Sequence, residues 1–256
     1  MKDYFMASKY SDDGFRNGIR KENEDTCYLS FHKDNNIKFF AIMADGVGGL
    51  NAGKRASSQL VDSLARWFSQ EEEKLNTYNF DEMKRQFEDI TSTIHEFIKK
   101  ESQSERINMG TTLTALLLTN TEYFIVHVGD SRAYLYDGSI IRQLTKDQTL
   151  LQRELDAGAE VSEEEKKDKG STLLQCIGTN TFIPSFYEGK LPAEFQILLC
   201  SDGMINTINK DEIAEVFSLD ESGKKKLIRL TDLARSRGEA DDITSVFIGR
   251  IKKEAE

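Results

Sequence analysis

Cysteine, histidine and proline are all scarce in this chain. Its 256 residues include only three cysteines (Cys27, Cys176, Cys200), three histidines (His32, His95, His127) and two prolines (Pro184, Pro192). A small odd number of thiols without C-x-x-C spacing excludes a disulfide framework and a thiolate zinc site. They read as reduced, partly buried thiols. So few histidines leave no basis for a histidine-rich metal centre. Any bound metal would therefore take oxygen ligands, which points to Mg²⁺ or Mn²⁺. No Pro/Ser-rich linker, repeat or low-complexity tract divides the chain, so one domain over 1–256 is expected. Positive charge is in deficit, with 34 Lys and Arg against 44 Asp and Glu and a net charge of −10. Such a surface repels a phosphate backbone and argues against nucleic acid as a partner. It does not argue against a phosphorylated substrate, because a bound divalent cation inverts the local field. No apolar run reaches the roughly 20 residues that cross a bilayer. Lys2, Asp3, Lys9, Asp12 and Asp13 break up the first residues, so no signal peptide is expected. The expectation is a cytoplasmic protein without a membrane partner.

Hydrophobic residues at 38% and charged residues at 30% suit a globular protein with a sizeable core. Strands are expected over 25–31, 37–44, 111–119, 123–128, 133–136, 140–144, 195–200 and 243–248. Asn120-Thr121 and Asp137-Gly138 carry hairpin signals between neighbours. Apolar residues at helical spacing predict helices over 52–68 and 81–100, and shorter ones over 150–157, 210–217 and 223–236. The segment 163–170 is charged and reads as mobile. Adjacent strands with short turns imply antiparallel pairing. Hairpins in blocks beside long amphipathic helices imply segregated layers, hence α+β.

One feature recurs four times: a carboxylate at the end of a buried strand. Asp45 follows Phe39–Ala44, Asp130 follows Tyr123–Gly129, Asp202 follows Phe195–Ser201, and Asp241-Asp242 precede Ile243–Ile248. Any one of them reads equally as a turn former or helix cap. Carboxylates brought together repel unless a cation neutralises them, and a set held by rigid strand ends is what a two-metal site needs. Spacing does not by itself place them together. Arg20 and Asn23-Glu24-Asp25 precede the first of these strands. Singly they read as surface charges, and together they could offer a guanidinium fork for phosphate and carboxylates for metal-bound water.

A competing phosphate motif is Gly48-Gly49-Leu50-Asn51-Ala52-Gly53-Lys54-Arg55, a G-x-x-x-x-G-K-R run between a strand and a helix. A nucleotide-binding loop needs Ser or Thr after the lysine for Mg²⁺, where Arg55 stands, and a parallel sheet that the hairpins disfavour.

In order along the chain, these segments resemble the type 2C protein phosphatases, the metal-dependent serine/threonine phosphatases. The matching runs are Arg20-Lys21-Glu22-Asn23-Glu24-Asp25, Ala44-Asp45-Gly46-Val47-Gly48-Gly49, Met109-Gly110-Thr111-Thr112, Val128-Gly129-Asp130-Ser131-Arg132, Leu144-Thr145-Lys146-Asp147, Leu199-Cys200-Ser201-Asp202-Gly203-Met204 and Ala240-Asp241-Asp242-Ile243-Thr244. They span nearly the whole chain, and its compact length resembles the stand-alone bacterial branch.

The resemblance implies a four-layer α-β-β-α sandwich, with two antiparallel sheets face to face and helices outside. It implies hydrolysis of phosphoserine and phosphothreonine in proteins by direct attack of a metal-bridging hydroxide. Asp45 would bridge two Mn²⁺ or Mg²⁺ ions, with the Gly46 carbonyl, Asp202 and Asp241 completing the pair. Glu24 and Asp25 would hold metal-bound waters, and Asp130 would ligate a weaker third ion shared with Asp202. Arg20 would bind the phosphate. Arg20, Asp45 and Asp202 are thus the catalytic set. Gly48 and Gly49 would let the loop turn tightly, and Thr111, Thr112 and Ser131 would be structural supports. A flap subdomain at about 148–175 would border the cleft. Phosphoprotein substrates, an opposing Ser/Thr kinase and a monomeric state are the implied partner relations. Three departures stand out: Val47 where some relatives carry histidine, Gln148 after Lys146-Asp147 in place of histidine, and Leu174-Gln175-Cys176-Ile177-Gly178 in place of a threonine-arginine-alanine-leucine-glycine run. The alternative is a non-catalytic binding or sensing module on the same fold, whose mark would be lost ligands.

Overall fold

The computed structural model describes residues 2–16, 19–48, 52–179 and 182–253. The side chains of 2–4, 16, 19–20, 163, 167 and 252–253 lie outside the description. Two five-stranded antiparallel sheets form the centre. The first comprises β1 (Lys2–Asp12), β10 (Arg132–Tyr136), β11 (Ile141–Gln143), β13 (Phe195–Cys200) and β14 (Ile243–Lys253), in the order β1-β14-β13-β10-β11. The second comprises β4 (Thr26–Phe31), β5 (Phe39–Ala44), β8 (Leu113–Leu118), β9 (Glu122–Val128) and β12 (Ser185–Lys190), in the order β12-β9-β8-β5-β4. Two short ribbons pair β2 (Phe15–Arg16) with β3 (Ile19–Arg20), and β6 (Gly46–Gly48) with β7 (Met109–Thr111).

Alternation along β5 explains the stacking. Phe39, Ala41 and Met43 enter a core between the sheets with Leu116, Ile125, Leu135, Ile197, Leu199 and Val246. Phe40, Ile42 and Ala44 point the other way, against α1 (Ala52–Leu75) and α2 (Phe80–Glu105). A strand buried on both faces reads as a continuous apolar run, and all six residues of β5 are buried. On the far side, Leu198, Cys200 and Phe247 pack against α6 (Lys210–Ser218) and α7 (Gly223–Ser236). The layers run helix, sheet, sheet, helix, which is the expected α-β-β-α sandwich.

Caps fix the helix starts. Asn79 accepts from the Glu82 amide while Glu82 accepts from the Asn79 amide, and Asn209 and Glu212 repeat that reciprocal box on α6. Both long helices outrun their predicted ends, because periodicity shows the buried face and not the solvated last turns. The segment 163–170, read as mobile, is a helix, α4 (Glu163–Gly170). Lys169 Nζ joins it to Glu154 at 2.7 Å on α3 (Leu150–Asp156), within which no residue is buried.

Candidate metal centre and active site

The carboxylates scattered through the sequence converge at one end of the sandwich. Asp45 sits between β5 and β6. Asp130 follows β9, Asp202 opens the short α5 (Asp202–Ile205) directly after β13, and Asp241 lies just before β14. Asp45 feels the negative charge of Asp25, Asp202, Asp130 and Asp241. Burial, reinforced by those neighbours, pushes its carboxyl well above the usual range. Asp130, Asp25 and Asp202 are likewise raised, first by burial and then by neighbouring carboxylates: Asp202 beside Asp130, Asp242 and Asp202 beside Asp25, and Asp241 beside Asp202. The Asp45 carboxyl lies close enough to Asp202 to moderate that rise.

A frame of neutral donors holds this cluster. The Asp45 amide donates to Thr112 Oγ1 at 2.9 Å. The Thr112 amide and the Thr111 hydroxyl both donate to the Asp45 carbonyl, each at 2.9 Å. Thr112 Oγ1 also meets Ser131 Oγ at 2.9 Å, beside Asp130. Thr111, Thr112 and Ser131 therefore position the Asp45 corner. Ser201 Oγ donates to Asp25 Oδ2 at 2.8 Å and accepts the Thr244 amide at 3.0 Å, joining β4, β13 and β14. Gly48, at φ 153°, passes so close to the Asn108 carbonyl that a Cβ would overlap it.

The doublet Asp241-Asp242 splits into two roles. Asp242 is buried, and its oxygens accept the Gly14 amide at 2.6 Å and the Glu24 amide at 2.9 Å. It pins the Asn23-Glu24-Asp25 turn to β14. Asp241 has a side chain 50% exposed, lines the cleft, and meets Lys21 Nζ at 3.3 Å. Burial opposes the Lys21 charge, but Asp241 and Asp242 outweigh it and hold the ammonium pKa above its usual value. Sequence reading missed Ser201, Asp242 and Lys21 as parts of the site. The only signal was their place inside matched motifs, since alternation does not say which residue of a doublet turns inward.

These residues suit a hard cation. All donors are oxygens. Asp202 Oδ1 is buried and has no hydrogen-bond partner, an unmet acceptor amid repelling carboxylates. Among the described residues no three His, Cys, Asp or Glu side chains stand as a ready-made cage. The reason is visible in their partners: Asp25 is turned to Ser201, Asp45 to Asp202, and Asp241 to Lys21. The side chain of Arg20 lies outside the described residues, as do Gly49, Leu50 and Asn51 of the glycine-rich run.

A cleft of about 1130 Å³ opens over the carboxylates, between the α3–α4 flap and the turn after α7. Its lining includes Glu24, Asp130, Asp202, Asp241, Leu151 and Arg237. The flap's base is a short bridge: the Leu150 amide donates to the Thr172 carbonyl at 2.9 Å, and the Leu174 amide to that of Gln148 at 2.8 Å. Gln148 explains itself in this setting. Its Oε1 accepts the Gly129 amide at 2.9 Å, and its Nε2 donates to Ser185 Oγ at 3.0 Å and the Ile183 carbonyl at 3.2 Å. Cys176, in the departing run, is buried at the flap's exit, and burial pushes its thiol up to about 12. The nucleotide-loop reading fails: Lys54 Nζ donates to the Asp25 carbonyl at 2.8 Å, and every strand ladder among the described residues is antiparallel.

A layered sandwich with a strand-end carboxylate cluster under a flap defines a class, and the chain belongs to the protein phosphatase 2C family, whose model matches residues 17–219. The serine/threonine phosphatase stp of Listeria monocytogenes is 30% identical to it over 244 residues, covering 92% of this chain and 93% of that protein. The Streptococcus agalactiae (S. agalactiae) serine/threonine phosphatase structure superposes with a TM-score of 0.81 at 28% identity, covering 96% of this chain and 99% of that one. The catalytic domain of the serine/threonine protein phosphatase PstP, solved in complex with two manganese ions, superposes with a TM-score of 0.78 at 27% identity, covering 98% and 100%.

Proposed function

We propose that this chain is a metal-dependent phosphatase acting on phosphoserine and phosphothreonine side chains of proteins. The observation that carries the reading is the buried, unpartnered Asp202 oxygen within a cluster of mutually repelling carboxylates under an open cleft. Asp45, the Gly46 carbonyl, Asp202 and Asp241 would hold a pair of Mn²⁺ or Mg²⁺ ions. Asp130 would hold a third with Asp202, and Glu24 and Asp25 would orient ion-bound water. When bound, the ions supply a water of lowered pKa and neutralise charge on phosphate oxygens. The chain's own part is to fix that chemistry in place. The threonine frame holds Asp45, Ser201 aligns Asp25, and Asp242 fixes the Glu24 turn. Arg20, arriving on β3, would clamp phosphate oxygens bidentately.

The domain is the whole 1–256, with the flap at about 148–175 as one wall of the cleft. A cleft of this size admits a stretch of polypeptide beside the phosphate, in keeping with protein substrates. A monomer, a Ser/Thr kinase that makes the substrates, and a cytoplasmic setting complete the reading. Among the described residues no helix is long and apolar enough to cross a membrane.

The test is dephosphorylation of a phosphothreonine peptide with Mn²⁺. Activity in the unaltered protein, lost with EDTA and reduced at least about 10²-fold in Asp202→Ala, is expected. A folded protein that binds Mn²⁺ but hydrolyses nothing would instead be a binding module.

A further inference from the structure

Lys21 is placed oddly for a surface lysine. Its ammonium is only 3.3 Å from Asp241 Oδ1 and 3.1 Å from Asp242 Oδ2, with its side chain 29% exposed. The backbone leaves it little choice of position. The Lys21 amide donates to the Gly14 carbonyl at 3.0 Å, and Gly14 in turn donates to Asp242 at 2.6 Å. Asp242 spends its oxygens on two main-chain amides, so it is committed to the fold. Asp241 is not. Among the described residues, its carboxylate otherwise accepts the Asp242 amide, at 2.8 Å, and Arg235 grips its carbonyl at 2.7 Å. A half-exposed carboxylate of the cluster thus has a protein cation as its partner. Lys21, Glu24 and Asp241 also line the same cleft.

We propose that Lys21 is a built-in competitor for the divalent cation: its ammonium and the metal draw on the same Asp241 carboxylate, so this residue sets how tightly the site holds its metal. The inference rests on the metal-site reading given above and adds a determinant of affinity to it. A cation this close to a ligand opposes a second cation by direct repulsion and by occupying the carboxylate's lone pairs. Both effects vanish when the charge is removed while the length of the side chain is kept. Half-occupancy in this protein would then require a higher metal concentration than in a site whose carboxylates are unshared.

Calorimetric titration of the purified chain with Mn²⁺ tests this directly, without reference to turnover. The comparison is the unaltered protein, Lys21→Met, Lys21→Arg and Asp202→Ala, with thermal melting to show that each is folded. Lys21→Met is expected to bind Mn²⁺ roughly three- to tenfold more tightly, a range set by a partly exposed ion pair to two carboxylates. Lys21→Arg is expected to stay within about twofold of the unaltered protein, since it keeps the charge. Equal affinity in Lys21→Met overturns the inference, and weaker affinity overturns it too, by making Lys21 a positioning residue for Asp241. If Asp202→Ala binds Mn²⁺ as well as the unaltered protein, or neither binds, the site reading itself falls and the inference with it.

Discussion

Thr112 stands where the chemistry and the stability of this chain meet. Its hydroxyl accepts the Asp45 amide and faces Ser131, both at 2.9 Å, and the residue is fully buried. Thr112→Val keeps the shape and leaves the Asp45 amide without an acceptor. An orphaned buried amide costs about 1–3 kcal/mol, and that loss should appear as a lower urea midpoint at unchanged slope. Phosphatase activity should fall with it, because the Asp45 corner loses its register. A Val variant with unaltered stability would mean the amide finds another partner. At this scale the sequence was legible in type but not in role. Asp45, Asp130, Asp202 and Asp241 announce themselves as carboxylates at strand ends. That they face one another depends on which strands become neighbours, and no local pattern carries that. Asp242 was hidden for the same reason: beside Asp241 it looks identical, yet it faces main-chain amides from a turn 228 residues away in sequence.

The flap is the element least tied to the rest. α3 buries none of its residues, and α4 is joined to it by the Lys169–Glu154 pair at 2.7 Å. Among the described residues it is held to the body by the narrow base from Thr149 to Leu174 and by an ion pair between Lys146 and Asp156 at 2.6 Å. Regions with few buried apolar contacts open at low free energy. Amides within 150–172 should therefore exchange with solvent orders of magnitude faster than those of β13, measured by native-state hydrogen exchange. Lys169→Ala should change global stability by less than about 0.5 kcal/mol, since exposed pairs contribute little. A change of roughly 2 kcal/mol or more, well beyond that range, would show the flap to be part of the cooperative core. Legibility at this scale follows burial. β5 and β13 were evident because both their faces are covered, giving apolar runs that only Gln196 of β13 interrupts. β1 and β12 went unpredicted because they lie at sheet edges, where KDYFMASKYSD and SFYEGK mix charge and apolarity. α4 was misread because EEEKKDKG has no apolar face to give it a period.

For the molecule as a whole, one buried base shapes the response to acid. His127 lies fully buried between the sheets, with Nδ1 3.0 Å from Thr114 Oγ1. Burial lowers its pKa from 6.5 to about 4. The unfolded chain then binds a proton that the folded one refuses, so stability is complete above about 6.5 and declines as pH falls toward 4. That decline amounts to roughly 3 kcal/mol at the conversion of 1.36 kcal/mol per pH unit. Urea unfolding at pH 7 and pH 4.5 should show it as the difference between the unaltered protein and His127→Gln, because Asp25 and Asp202, raised to about 7 and about 6, add stability over the same range as they take up protons. His127→Gln, which cannot take up the proton, should lower stability at pH 7, and its deficit should shrink toward pH 4.5; a deficit that does not change with pH would assign the acid sensitivity to other groups. The four-layer plan was legible because hairpins and amphipathic helices come in blocks. The order of strands within each sheet was not, because it is set by pairings between distant segments.

One such pairing orders events in time. β14 lies between β1 and β13, eleven residues of it matched to β1 from Lys2↔Lys253 to Asp12↔Ile243. The strand that closes the first sheet thus follows every other element of the described residues, and Asp241 emerges from the ribosome with it. A nascent chain halted before residue 241 carries Asp45, Asp130 and Asp202 but has two strands waiting for a common neighbour. During synthesis the sandwich and its hydrolytic site should therefore mature together, as the last strand slots in, and a half-made chain is spared an active centre that could act before its fold is complete.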